Sequence, residues 1–190
     1  IYPRRRWRRL ISKLPINDNA IIMDKAHQIL KSVFGYDLFR PLQEDIINHV
    51  ISGHDVLVLM PTGGGKSICY QIPSLLLDGT ALVVSPLISL MKDQVDALQA
   101  NGIAAEALNS SNEEYVNRII RSRCQNGEIK ILYISPERLM TEIQWLQQFV
   151  KISMIAIDEA HCVSQWGHDF RPEYTQLGVL EEYFPKVPRI

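Results

Sequence analysis

Short apolar runs rich in β-branched residues recur along this chain, at 56–60, 81–85, 103–108, 129–134 and 153–157. Stretches of helical periodicity alternate with them, at 24–34, 41–52, 67–77, 88–100 and 112–124. The second of these has Pro41 in its first turn and Gly53 just past its end, which are start and stop signals for a helix. Runs of strand length separated by ten or more helical residues are βαβ units, and they predict a parallel sheet covered on both faces. Right-handed crossovers then make the expected fold a doubly wound α/β domain.

The segment Met60-Pro61-Thr62-Gly63-Gly64-Gly65-Lys66-Ser67 falls between one such run and the helical stretch that follows it. Three glycines let successive backbone N–H groups converge on a β-phosphate, and the helix beginning at Ser67 adds about half a positive charge there. Lys66 is placed to reach the β- and γ-phosphates, and the Ser67 hydroxyl to bind Mg²⁺. The eight-residue pattern usually opens with Gly where this chain has Met60. The strand-like run before it and the helix after it argue against an incidental glycine-rich turn.

About ninety residues on, the run 153–157 ends in Asp158-Glu159-Ala160-His161. In a parallel sheet the carboxyl ends of the strands line the ligand crevice, so these acids are expected beside the phosphate loop. Asp158 is expected to hold the hydrated Mg²⁺, and Glu159 to polarise the water that attacks a γ-phosphate. Three residues after His161, the residues Trp166, His168, Phe170, Arg171 and Tyr174 interleave aromatics with cations in a segment rich in Gly, Asp and Pro. That composition suits single-stranded nucleic acid, where each stacked base is worth ~1–3 kcal/mol without sequence readout. A satellite hydrophobic cluster is the other reading of the same residues.

Charge is unevenly spread. Residues 1–13 hold Arg4, Arg5, Arg6, Arg8, Arg9 and Lys13 and no acid, against a net charge of −1 for the whole. Such an arm can grip phosphates, or it can lie outside the fold; the expectation is that residues 1–23 are a basic extension and 24–190 the domain. No apolar stretch follows the basic residues as a signal peptide requires, and no run is long enough to span a membrane. Cys69, Cys124 and Cys162 are odd in number and lack metal-ligand spacing, which predicts reduced thiols in a cytoplasmic setting, with no disulfide framework and no zinc site.

Taken together, these residues resemble superfamily 2 helicases, and the RecQ DNA helicases in particular. Phe34-Gly35-Tyr36, Phe39-Arg40-Pro41 and Gln43 resemble the RecQ motif upstream of the phosphate loop. The segments 85–94 and 135–139 resemble motifs Ia and Ib, and 164–174 resembles the aromatic-rich loop. Five motifs occur in family order across residues 24–184. The resemblance implies a RecA-like P-loop domain, mostly parallel with helices on both faces, that binds ATP and Mg²⁺ and acts on DNA in repair and recombination. It further implies that Tyr36 and Arg40 sandwich the adenine and that Gln43 hydrogen-bonds its edge. The nucleotide set is then Tyr36, Arg40, Gln43, Thr62, Gly63, Gly64, Gly65, Lys66 and Ser67. Ser67 and Asp158 would serve the metal, with Lys66 and Glu159 catalytic. DNA, preferably with single-stranded segments, would meet Trp166, His168, Phe170 and Arg171, with Ser89 and Lys92 on its phosphates. Apart from the resemblance, 85–94 and 135–139 each read as a capped helix start. The family usually has Gly just before the glutamine, where this chain has Leu42.

The chain ends at Ile190, ahead of the Ser/Thr-Ala-Thr-like motif III, and without the second RecA-like domain and its arginine finger. A finger is worth ~10³–10⁵ in rate. The expectation is therefore an ATP-dependent helicase translocating 3′ to 5′, represented by its first motor domain and nearly inactive alone. Two alternatives stand beside it: a truncated ATP- or nucleic-acid-binding module without turnover, and an RNA helicase of the same superfamily.

Overall fold

Four parallel strands divide their side chains by parity between two cores. The computed structural model describes residues 19–61, 63–164 and 171–190. In it β1 (Thr80–Val84), β2 (Ala105–Leu108), β3 (Ile131–Ile134) and β4 (Ile152–Ile157) form one sheet in the order β2-β3-β1-β4. All three pairings are parallel, with Val83 opposite both Tyr133 and Ala156. Successive strand residues face opposite ways. Leu82, Val84, Leu132, Ile134 and Ile155 therefore enter one cluster, while Ala81, Val83, Ile131, Tyr133 and Ala156 enter the other.

Helices cover both faces, as the unbroken apolar runs require. The first face receives α5 (Glu114–Gln125), α6 (Pro136–Phe149), the 3₁₀ turns of Pro172–Gly178 and α7 (Val179–Tyr183). They seal it with Ile120, Cys124, Leu139, Ile143, Leu146, Leu177 and Leu180. The second face receives α4 (Ile88–Ala100) through Met91, Val95 and Leu98, and α3 (Lys66–Leu76) through Tyr70. Outside α3, the helices α1 (Asn19–Phe34) and α2 (Gln43–Ile51) close a smaller cluster on Ala26, Leu30, Ile47, Ile68 and Ile72.

The sequence expectation and the structure differ in three places. Helix α1 starts at Asn19, five residues ahead of the expected 24, and Met23 packs against its cluster. Helix α6 runs on to Phe149, well past the capped start expected at 135–139; Pro136 sits in its first turn and the Ser135 hydroxyl accepts the Arg138 N–H at 3.4 Å. The run 56–60 keeps strand parity without a ladder: Val56, Val58 and Met60 are partly covered, while Leu57 and Leu59 are 79% and 85% exposed. Its one cross-chain bond runs from the Val56 N–H to the Arg189 carbonyl at 2.8 Å. Asp55 fixes that contact by accepting the Arg189 N–H at 2.8 Å and pairing with its guanidinium at 3.1 Å. Residues 188–190 in turn hydrogen-bond β4, with the Ile157 N–H on the Ile190 carbonyl at 2.8 Å. Past Val56, residues 57–60 pair with no strand and make no backbone hydrogen bond among the described residues.

Cys69, Cys124 and Cys162 are buried and form no disulfide. Burial pushes the thiols of Cys69 and Cys124 up to about 11 and about 12, which makes them inert packing groups. No helix among the described residues is long and apolar enough to cross a membrane.

Candidate nucleotide site

The carboxyl ends of the strands and the amino end of α3 meet at one rim. Asp158 follows β4 directly, its N–H donating to the Val84 carbonyl at 2.9 Å, so it stands at the carboxyl ends of the neighbouring strands β1 and β4. Lys66 opens α3, and its charge is close enough to Asp158 to favour the carboxylate. Asp158 is nonetheless held above the usual carboxylate range. Burial is the main cause, and the charge of Glu159 adds to it. The Glu159 N–H on Asp158 Oδ1, at 3.0 Å, pulls the other way. An acid uncomfortable as an anion beside a second acid is a place where a cation is welcome. Ser67 and Asp158 offer hard oxygen donors suited to Mg²⁺ with most of its water retained, so these residues fit the ion.

Glu159 occupies left-handed backbone, φ 53°, ψ 42°, one of two non-glycine residues there among those described. Such a conformation costs of order 1–3 kcal/mol and persists only where surroundings impose it. Here the next residues turn at once into the 3₁₀ turn Ala160–Val163, whose Cys162 N–H returns to the Glu159 carbonyl at 2.9 Å. The Glu159 carboxylate lies 3.2 Å from His161 Nδ1.

Leu42 is the other such residue, φ 71°, at the start of α2. A glycine-favouring backbone explains why Gly is the usual residue there, and the turn forms with leucine regardless. It delivers Gln43, 3% exposed, to the phosphate loop. The Gln43 side chain accepts the Arg40 N–H at 2.8 Å and donates to the Gly65 carbonyl at 3.0 Å. A Cβ on Gly65, itself at φ 84°, would stand 2.5 Å from Gln43 Nε2, so the third loop glycine is needed both for conformation and for room. The Arg40 guanidinium donates to the Gly63 carbonyl. Leu30, Tyr36, Leu38, Arg40, Gln43, Gly65 and Ile68 thereby line one recess next to the loop.

The sequence-read residues thus fall into groups. Tyr36, Arg40, Gln43, Gly63, Gly64, Gly65, Lys66 and Ser67 gather along one side of α3's amino end. Asp158 and Glu159 follow the carboxyl end of β4, in the sheet against which α3 packs. Ser89 and Lys92 are exposed on the first turns of α4 and share a cleft with Glu106, Asn109, Ser111 and Asn112. Thr62, Trp166, His168 and Phe170 lie outside the described residues. Arg171 is described, and its N–H donates to the Cys162 carbonyl at 2.9 Å, bringing the two flanks of 163–170 together. Tyr174 is not the exposed stacking ring the sequence allowed. It is 3% exposed in the core, with its hydroxyl on the Asp158 carbonyl at 2.8 Å. Three residues that sequence reasoning passed over, Tyr70, Gln71 and Tyr133, are buried polar groups behind the loop.

A phosphate loop opening a helix, opposite an acidic pair at the carboxyl edge of a parallel sheet, defines the phosphate-loop class of α/β domains. Within that class the chain belongs to the DEAD/DEAH box helicase family, whose model matches residues 40–188. It is 55% identical over 175 residues to the ATP-dependent DNA helicase RecQ of Haemophilus influenzae, covering 92% of this chain and 28% of that protein. It is 49% identical to RecQ of Bacillus subtilis over 164 residues, covering 84% and 27%, so the RecQ likeness is strong and the chain spans little more than a quarter of these relatives. Among solved structures it is similar to the DUF1998 helicase MrfA bound to DNA and AMPPNP, with TM-score 0.58 at 21% identity over 73% of this chain and 21% of that one. The same helicase bound to DNA gives TM-score 0.61 at 21% identity, over 80% and 23%; at this identity the likeness speaks for the fold.

Proposed function

We propose that this chain is the ATP-binding motor domain of a 3′-to-5′ DNA helicase of RecQ type. The observation that carries the reading is that helix α3, opened by Lys66 and Ser67, packs through Tyr70 in the same core as Ala156 of β4, the strand that Asp158 follows. Two segments ninety residues apart in sequence thereby face one rim. Tyr36 and Arg40 bracket the adenine, Gln43 reads its edge, and the backbone N–H groups of 62–67 hold the β-phosphate. Ser67 and Asp158 hold Mg²⁺, which when bound neutralises charge on the phosphates. Lys66 stabilises the γ-phosphoryl charge, and Glu159 takes the proton of the attacking water.

Support for DNA as the second ligand comes from the site's flanks. The residues on either side of 165–170 are tied to the acid-bearing segment, through Arg171 to Cys162 and through Tyr174 to Asp158. A strand stacked on Trp166, His168 and Phe170, beside Arg171, would act on ground connected to the hydrolytic acids. Ser89 and Lys92 would hold its phosphates, a sequence-independent contact. DNA with a single-stranded segment is the favoured form, and a soluble cytoplasmic setting at the nucleoid fits it.

In a two-domain motor an arginine from the second domain is worth ~10³–10⁵ in rate, so residues 1–190 tested alone are expected to bind Mg-ATP and hydrolyse almost none. The test places Glu159→Gln in the two-domain protein. ATP binding is retained and DNA-stimulated hydrolysis is lost; unchanged turnover would remove Glu159 from its role. Competition between matched single-stranded DNA and RNA separates this reading from an RNA helicase.

A further inference from the structure

Beneath the phosphate loop, the face of α3 turned to the sheet carries polar groups where packing alone calls for apolar ones. The hydroxyls of Tyr70 and Tyr133 meet at 3.2 Å, with the two residues 6% and 1% exposed. Next to Tyr70, the buried Gln71 donates through Nε2 to Gln94 Oε1 at 3.1 Å, crossing from α3 to the middle of α4. Tyr70 and Gln71 lie about one turn into α3, the helix that Lys66 and Ser67 open. Burial pushes both phenols up, and the Asp158 charge adds to the rise in each, so both keep their protons as donors. A buried polar group left unpaired is destabilising, a liability that phenylalanine at both tyrosine positions would not carry. The two bonds join the start of α3 to β3 and to Gln94 of α4, which lies five residues from exposed Ser89 and two from exposed Lys92.

We infer that Tyr70, Tyr133, Gln71 and Gln94 are positioning residues that couple occupancy of the phosphate loop to helix α4, and through it to the surface formed by Ser89 and Lys92. A shift of α3's amino end on nucleotide binding would be passed to β3 by the Tyr70–Tyr133 bond and to α4 by the Gln71–Gln94 bond. The inference rests on the nucleotide reading proposed above. Its elements are discrete hydrogen bonds joining two rigid helices, the kind of connection that carries coupling between sites.

Hydrogen exchange read by mass spectrometry tests it on this chain, with and without saturating Mg-AMPPNP. In the unaltered chain the nucleotide slows exchange both in residues 63–70 and in residues 88–99. In Gln94→Ala and, separately, in Tyr133→Phe, the slowing at 63–70 persists and the slowing at 88–99 is lost. Gln94 is only partly buried on an amphipathic helix, so its variant folds even if the tyrosine variant does not. A purely structural role would speed exchange at 88–99 equally with and without nucleotide, leaving the difference intact, and would overturn the inference. So would slowing confined to 63–70 in the unaltered chain. No slowing at 63–70 would instead remove the nucleotide reading on which it rests.

Discussion

The Tyr174 hydroxyl donates to the main-chain carbonyl of Asp158 at 2.8 Å, from a ring buried in the core. The acid expected to serve the metal therefore has its backbone held by the far flank of the aromatic-rich segment. Tyr174→Phe keeps the packing and deletes this bond. A net loss of ~1 kcal/mol in urea unfolding is expected, the usual worth of one intramolecular hydrogen bond. Amide exchange should quicken in 171–178 while β1 and β3 stay protected. An unchanged stability would mean that the bond is replaced by water at no cost.

Asp158 makes the free site uncomfortable, and the sign of its pH dependence follows. Burial and then the Glu159 charge raise its pKa in the folded state, so the folded chain holds this proton more tightly than the unfolded one. The stability it contributes is full below the usual carboxylate value and is lost as pH rises through the raised one. Near neutral pH, Asp158→Asn should melt higher than the parent in the absence of nucleotide, by about 2–4 °C if ~1 kcal/mol is released. The gain should shrink on acidification. A lower melting temperature for this variant at neutral pH would contradict the strained-site account.

Leu42 sits in left-handed backbone with its side chain 61% exposed, so little packing is lost on replacing it. Leu42→Gly relieves ~1–2 kcal/mol of steric cost and gives back about 0.5–1 kcal/mol to unfolded-chain entropy. The expected result is a small rise in thermal stability with nucleotide affinity retained. Gly65→Ala should do the opposite, because its Cβ meets Gln43 and its φ of 84° opposes any side chain. Isothermal titration with Mg-ADP should show Gly65→Ala weakened at least tenfold.

On the far face of the sheet, Glu142 is 5% exposed and lies between two guanidiniums, 2.6 Å from Arg121 and 2.7 Å from Arg138. It ties α5 to α6. Both arginines keep the exposed Glu114 as a second partner, at 2.8 and 3.6 Å, so losing Glu142 costs the hydrogen bonds to a charged group, ~1.5–3 kcal/mol, and not a stranded charge. Glu142→Ala should lose about that much in denaturant unfolding, and a loss below ~1 kcal/mol would show that water reaches the arginines.

Much of this fold is legible in the sequence because parallel strands are buried on both faces. Val83 and Val84 go to opposite cores, yet both must be apolar, and a continuous apolar run results. The phosphate loop and acidic pair were legible because their chemistry fixes residue types at short spacing. The run 56–60 reads as a strand for a sound reason, its parity, but a strand needs a neighbour, and pairing is a long-range matter that local pattern leaves open. Tyr174 illustrates the same limit within the site. Composition places it with stacking aromatics, and only the turn Pro172–Gly178 decides that it points into the core. Tyr70 and Tyr133 carry no local signal at all, because a tyrosine in a helix and another in a strand sixty-three residues later become a pair only once the sheet forms.

The most direct test of the central claim is a double-mutant cycle on nucleotide binding. Affinity for a fluorescent ATP analogue would be measured with and without Mg²⁺ in the parent chain, Lys66→Ala, Asp158→Asn and the double variant. If one pocket holds the triphosphate and its metal, each single change weakens Mg²⁺-dependent binding by at least tenfold. The double change then costs clearly less than the product of the two. Single variants that bind as the parent does, or losses that multiply as independent sites would, contradict it.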